Sequence, residues 1–222
     1  MRFATGRENS YVEIMFVTFE GVDSSGKTTQ ARLVVDALRA RGGPTVHFIR
    51  EPGGTAISER LREILLDRKN LELSEQAELF LFSASRAQLV RQVILPALRR
   101  GEHVVCDRYH DSTTAYQGYG RGLDLDAIRR INAVATAGTD PDLTILVDIT
   151  VEEIGRRKDA AGTGFDRMES AGRDFYTRVR EGYLILARED PERFLVVDGM
   201  RTVEDIARDI ARAVGERQHR LI

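Results

Sequence analysis

The stretch Gly21-Val22-Asp23-Ser24-Ser25-Gly26-Lys27-Thr28 constrains the fold more than any other part of the chain. It has the pattern of a glycine, four residues, then Gly-Lys-Thr, and its context suits that pattern. Before it, Ile14 to Glu20 is an apolar, β-rich run. After it, Thr28 to Arg41 carries Leu33, Val34, Ala37 and Leu38 at helical spacing. A strand that turns tightly on glycine and opens a helix aims successive backbone N–H groups at one point, and the helix N-terminus adds positive potential there. Such a loop cradles phosphate. Lys27 places a cation against the β- and γ-phosphates of a nucleotide, and the Thr28 hydroxyl is a ligand for Mg2+. Residues Gly21, Val22, Asp23, Ser24, Ser25, Gly26, Lys27, Thr28 and Thr29 are therefore expected to bind ATP.

The rest of the chain repeats the alternation that this unit begins. Strands are expected at Val46–Ile49, His103–Asp107, Leu143–Asp148 and Phe194–Val197. Helices are expected at Ile57–Leu66, Glu75–Arg100, Asp124–Ala137, after Asp148, at Arg173–Arg188 and at Val203–Arg217. Pro96 is expected to kink or end the second of these helices. The order implies an α/β fold, a five-stranded parallel sheet with helices on both faces. Ligands on such sheets bind beyond the carboxyl ends of the strands. The candidate loops are then 21–28, 50–55, 107–121 and 148–167. Residues 1–14 lack the apolar segment of a signal peptide and read as a disordered tail, leaving 15–222 as one domain.

Composition narrows the partners. Lys+Arg is 33 against Asp+Glu 35, a formal charge of −2, with no basic excess of the kind nucleic acid selects. Lysine occurs only at Lys27, Lys69 and Lys158, so arginine supplies nearly all the positive charge, and its planar fork suits phosphate. The single cysteine, Cys106, excludes an intramolecular disulfide and a Cys-based zinc site, and its apolar neighbours predict a buried thiol. No stretch is apolar enough to span a membrane. None of the lysines sits in an Asn-Lys-x-Asp guanine reader, which argues against a GTPase.

A kinase needs a second pocket for the phosphoryl acceptor, and several segments offer one. Arg50, just after the second strand, is placed to grip a phosphate bidentately. Phe82 and Arg86, four apart, share a helix face, where a ring can stack on a base and an arginine can donate to a base carbonyl; taken alone, Phe82 reads as core packing. Phe80 and Leu81 beside them read as core. Asp107 ends the third strand, a natural position for a carboxylate near Mg2+.

Phe19-Glu20-Gly21-Val22-Asp23, Arg50-Glu51-Pro52-Gly53-Gly54-Thr55, Leu81-Phe82-Ser83-Ala84-Ser85-Arg86, Asp107-Arg108-Tyr109 with Ala115-Tyr116-Gln117-Gly118, and Pro141-Asp142-Leu143-Thr144 together resemble thymidylate kinase of the bacterial type. The resemblance covers nearly everything from Met15 onward. It implies the P-loop kinase fold, ATP- and Mg2+-dependent phosphorylation of dTMP to dTDP, a cytoplasmic location and a homodimer. It implies that Asp23, Arg50, Phe82, Arg86, Arg108, Ser112, Tyr116 and Gln117 bind dTMP. Arg108 would face both phosphates, and Asp23 would lie near the acceptor 3′-hydroxyl. Some relatives carry an arginine in the phosphate loop; here Asp23-Ser24-Ser25 has none. Charge on the transferring group must then be met from a lid at about 156–168, where Arg156, Arg157 and Arg167 flank the break Ala160–Gly164. Two rivals remain open at this stage, another small-molecule kinase and a nucleotide-binding ATPase without an acceptor.

Overall fold

The computed structural model describes residues 14–161 and 172–220. The expected tail, and Arg167 with the distal part of the expected lid, lie outside the described residues. Five strands form one sheet in the order β2-β3-β1-β4-β5, every neighbouring pair parallel. They are β1 (Phe16–Glu20), β2 (Val46–Arg50), β3 (His103–Asp107), β4 (Leu143–Asp148) and β5 (Phe194–Asp198). β1 is the central strand and is buried along its whole length, which is why Phe16, Val17 and Phe19 place apolar side chains on both of its faces.

Alternate residues of the strands serve opposite layers. Val17, Phe19, Val105, Ile145 and Val147 pack beneath α1 (Lys27–Ala40) and α9 (Val203–Arg220), through Val34, Leu38, Ile206 and Ile210. On the other face, Phe16, Val104 and Cys106 meet Leu89 at the end of α3 (Glu75–Leu89) and Val90 and Ile94 just beyond it. Leu146 and Phe194 meet Val179, Tyr183 and Ala187 of α8 (Arg173–Glu189). Cys106 is fully buried, as its surroundings in sequence predict. Side-chain caps begin several helices: Thr55 accepts from Ser58 N at 3.1 Å for α2 (Ala56–Leu66), and Ser74 accepts from Ala77 N at 3.2 Å for α3.

Three expectations need correction. Pro96 neither kinks nor stops the helix alone. The backbone passes from α3 into a π-helical turn, Val90–Ile94, where the Leu95 N–H reaches back to Val90 O, and then into α4 (Leu95–Arg99). The wider turn resets the hydrogen-bond ladder directly before the residue that has no N–H to give. Residues 107–121 are mostly helix rather than loop: α5 (His110–Thr113) runs straight into a second π-helical stretch, Thr114–Gly120. The glycines and polar residues there hid this from periodicity, because the spacing is not that of an α-helix. Phe80 is not core; it is 59% exposed, on an outward stripe of α3 with Ala84. The remaining helices are α6 (Leu125–Thr136) and α7 (Val151–Ala161). Among the described residues no helix is long and apolar enough to cross a membrane.

Candidate functional site

The phosphate loop leaves β1 at Gly21, whose φ of +137° and tight packing both require glycine: a Cβ there would meet Val147 O at 2.5 Å. Gly26, at φ +95°, turns the backbone into α1, and Lys27 is the first residue of that helix. Lys27 is buried, with Nζ 3.4 Å from Val22 O. Burial, and then the Arg108 charge, push its pKa down; Asp23, Asp107 and Glu20 oppose them. Thr28 Oγ1 donates to Asp107 Oδ2 at 2.5 Å, joining the loop to the end of β3. Asp107 Oδ1 is buried and has no hydrogen-bond partner. A hydroxyl beside an unsatisfied carboxylate oxygen fits Mg2+, a cation that takes one or two protein oxygens together with phosphate and water. Among the described residues no group of three or more His, Cys, Asp or Glu side chains is placed to hold a metal by itself.

Arg108 joins this loop to the next part of the site. Its N–H continues the ladder to Phe19 O, after which a φ of +72° turns the chain sharply. That conformation is costly for a residue with a Cβ. The guanidinium crosses the end of β1. Nη2 donates to Asp23 Oδ1 at 2.6 Å and to Tyr116 Oη at 3.1 Å; Nη1 donates to Gly21 O at 3.0 Å and to Ser112 and Tyr183 at 3.1 Å. Tyr176 and Tyr116 hydroxyls donate to the other Asp23 oxygen at 2.9 and 3.2 Å. Burial alone would raise the Asp23 pKa. The charges of Arg108, Lys27 and Lys158 and the Tyr176 hydroxyl outweigh it and hold the carboxyl well below its ordinary range. Behind this layer Glu20 accepts from Tyr109 N at 2.6 Å, Ser112 Oγ at 2.6 Å and Tyr183 Oη at 2.8 Å. Burial and the nearby Asp111 push its pKa up, and Arg108 opposes them.

Arg108 also borders a cavity beside the phosphate loop. Asp23, Phe82, Arg86, Ser112, Tyr116 and Gln117, all expected acceptor-site residues, line it together with Arg108. Arg86 is almost fully buried and heavily committed: Nε donates to Glu51 at 2.7 Å, Nη1 to Thr113 and Asn132, and Nη2 to Tyr109 O. Arg50 is placed differently. Its half-exposed guanidinium donates to Pro52 O at 2.9 Å and Glu59 at 3.0 Å, and it is not among the residues lining the cavity.

The basic residues of α7 divide. Arg157 reaches over the phosphate loop, donating to Ser24 O at 3.1 Å, Ser25 O at 3.2 Å and Gly199 O at 2.8 Å. Arg156 turns outward to Glu153, its side chain 72% exposed. Ser24, Thr28 and Thr29 are exposed on the loop; Gly21, Val22 and Ser25 are buried beneath it.

Several residues of this site escaped the sequence reading. Glu51 and Arg62 line the cavity, as does Leu66. Tyr176 and Tyr183 come from α8, far along the chain, and Lys158 places Nζ 5.2 Å from the Tyr176 ring centre. Glu51 stood next to Arg50 in a quoted motif, and that adjacency was its only signal, because contacts made across the sheet leave no local pattern.

The family profile described as Thymidylate kinase matches residues 19–210. The chain is 50% identical to the thymidylate kinase of Desulfovibrio desulfuricans, over 86% of this chain and 91% of that one. It is 47% identical to that of Deinococcus radiodurans, over 92% and 98%. The crystal structure of thymidylate kinase from Ehrlichia chaffeensis superposes with a TM-score of 0.75 at 33% identity, covering 91% of this chain and 99% of that one. A phosphate loop at the end of β1, an arginine that ties it to an adjoining cavity and this breadth of likeness place the chain in the thymidylate kinase family.

Proposed function

We infer that the chain transfers the γ-phosphoryl group of ATP to the 5′-phosphate of dTMP, giving ADP and dTDP. The observation that carries this reading is the position of Arg108. One guanidinium bonds to the phosphate loop at Gly21 O and Asp23 and to the wall of the neighbouring cavity at Ser112 and Tyr116. A cation there lies between two anionic substrates that repel one another and offsets charge that spreads as the phosphoryl group moves.

In this reading residues 21–29 bind ATP, with the Lys27 ammonium against its terminal phosphates. Mg2+, held by Thr28 and Asp107 with the phosphates, would neutralise charge on the donor. Asp23, kept ionised, holds Arg108 in place and faces the acceptor sugar. Phe82 lies against the thymine ring, Arg86 and Gln117 face its polar edge, and Tyr116 and Ser112 pack near the sugar and phosphate. Arg50 has to turn from Glu59 to reach the acceptor phosphate. Arg156, Arg157 and Arg167 supply the charge that the arginine-free loop lacks, and Arg157, already on the loop, is the foremost of them. The acceptor phosphate is ionised near neutral pH, so the transfer needs no strong general base.

The enzyme would act in the cytoplasm as a homodimer. Support for the dimer comes from an outward apolar face: Phe80 on α3 and Val134 on α6 are 59% and 80% exposed beside a shallow groove lined by Ala84, Ala87 and Ile131. Sedimentation at the mass of a single 25.0 kDa chain would remove that part of the proposal. The test of the activity is direct. With Mg·ATP present, release of ADP is expected only when dTMP is added, with dTDP formed in equal amount. ADP release at an undiminished rate without dTMP would overturn the reading.

A further inference from the structure

Gln117 and Glu78 meet inside the protein, Gln117 2% and Glu78 1% exposed. Glu78 lies one turn before Phe82 on α3, and Gln117 lies in the π-helical stretch that walls the cavity. The Gln117 amide nitrogen donates to Glu78 Oε1 at 2.9 Å. Arg121, just beyond that stretch, donates Nε to the same oxygen at 3.3 Å and Nη2 to Oε2 at 3.2 Å. Arg121 is itself seated over the Phe175 ring, 4.8 Å from its centre.

A carboxylate held by a guanidinium accepts hydrogen bonds and gives none. The amide of Gln117 therefore has one permitted orientation: nitrogen to Glu78, oxygen turned away. Among the described residues no hydrogen bond uses that oxygen. Gln117 and Arg86 both line the cavity, so the fixed Gln117 oxygen offers it an acceptor, and Arg86, whose five N–H groups make four hydrogen bonds among the described residues, keeps a donor. An edge that matches has an acceptor beside a ring N–H, the arrangement in thymine and uracil. Cytosine presents the opposite order, an amino donor beside a bare ring nitrogen.

We infer that Glu78, kept in place by Arg121, is a specificity-determining positioning residue that fixes the Gln117 amide so that the acceptor site takes a pyrimidine with a ring N–H and rejects a cytosine-type base. The inference rests on the reading of this cavity as the acceptor site and names how that site chooses its base. A buried acceptor left facing a bare ring nitrogen is the penalty that rejects cytosine.

The test is Glu78→Gln. A glutamine at 78 can accept or donate, so the amide at 117 is free to turn over. Initial rates with dTMP and with dCMP, each with Mg·ATP, give the selectivity ratio of the two kcat/KM values. The ratio is expected to fall on the order of tenfold, the scale of one buried hydrogen bond. The loss for dTMP should fall on KM rather than kcat, and kcat/KM for dCMP should rise above wild type. A merely structural defect would lower both substrates together. In a Gln117→Leu background the same change at 78 should leave the ratio where Gln117→Leu alone put it. If Glu78→Gln melts below assay temperature, Glu78→Asp, whose shorter side chain withdraws the carboxylate from the Gln117 amide and so releases it, is read by the same ratio. An unchanged ratio in a folded variant, or a further fall in the Gln117→Leu background, overturns the role of Glu78 alone. A wild-type enzyme that does not turn over dTMP overturns the acceptor-site reading first.

Discussion

In the phosphate loop a single segment, residues 21–28, supplies the glycine turns, the helix N-terminus, the cation and the hydroxyl. The adjoining cavity has no such continuity: Glu51 follows β2, Phe82 and Arg86 sit on α3, Arg108 follows β3, and Tyr116 and Gln117 belong to a π-helical stretch. The two regions share Asp23 and Arg108, yet they satisfy charge differently. The loop uses backbone dipoles, which are set once the turn is made. The cavity uses side chains that hold one another, so each depends on a partner from elsewhere in the fold. Substitutions in the loop should therefore act on the chemistry of one residue, whereas those in the cavity should spread to neighbours.

The largest expected effect tests the loop. Lys27→Ala should lower kcat on the order of a thousandfold or more, because a cation aimed at the transferring group is lost from a site where water cannot replace it. Stability should change little by comparison, since the Nζ contact to Val22 O is long at 3.4 Å. Single-turnover rates and thermal melts of the same preparation separate the two. A variant that melts far below wild type would show the loop to be as interdependent as the cavity.

A pH experiment tests the cavity. Burial raises the Glu51 carboxyl from 4.5 to about 7, with Arg86 pulling the other way, and its Oε1 has no partner. A carboxyl with a raised pKa holds its proton more tightly in the folded protein. Its contribution to stability is therefore fully present below pH 4.5 and is lost as pH rises through 7. The size is up to about 3 kcal/mol. Relative to Glu51→Gln, which does not titrate, the wild-type unfolding free energy should fall across that window and then run parallel above it. Denaturant titrations at intervals of pH provide the measurement. Parallel curves throughout would mean that Glu51 does not change protonation on folding.

The same contrast explains what was legible in the sequence. The loop announces itself because every property it needs is carried by neighbours in the chain. The strands were equally plain, because buried parallel strands are rich in apolar residues on both faces, as Phe16, Val17 and Phe19 of β1 are. Periodicity failed at 110–120, where a π-helical path breaks the spacing that marks a helix, and at Phe80, whose apolar side chain faces outward. Within the site, Arg108 was legible through the Asp107-Arg108-Tyr109 motif of the resemblance, and its place just beyond β3 agrees with that. Tyr176 and Tyr183 were not, because their hydroxyls meet Asp23 and Glu20 across separations of 153 and 163 residues. Arg50 marks the limit of the strand-end rule: it sits at the expected edge, but Glu59 draws its side chain away from the cavity.

The smallest effects sharpen the comparison between two of the three lid arginines the sequence offered, Arg156 and Arg157; the third, Arg167, lies outside the described residues. Both are basic, adjacent and on α7, and both bond Glu153. Only Arg157 bridges Ser24 O, Ser25 O and Gly199 O, so only Arg157 belongs to the phosphate loop in the sense that its donors rest on that backbone. Arg157→Ala should lower kcat about tenfold, the loss of one or two charge-assisted hydrogen bonds near the transferring group. Arg156→Ala should stay within about twofold, as expected for an exposed ion pair. Measured at saturating dTMP, the two values order the pair. If Arg156→Ala were the more damaging, the lid would have to close in a way that exchanges their places. The loop would then join the cavity as a structure completed from outside its own segment.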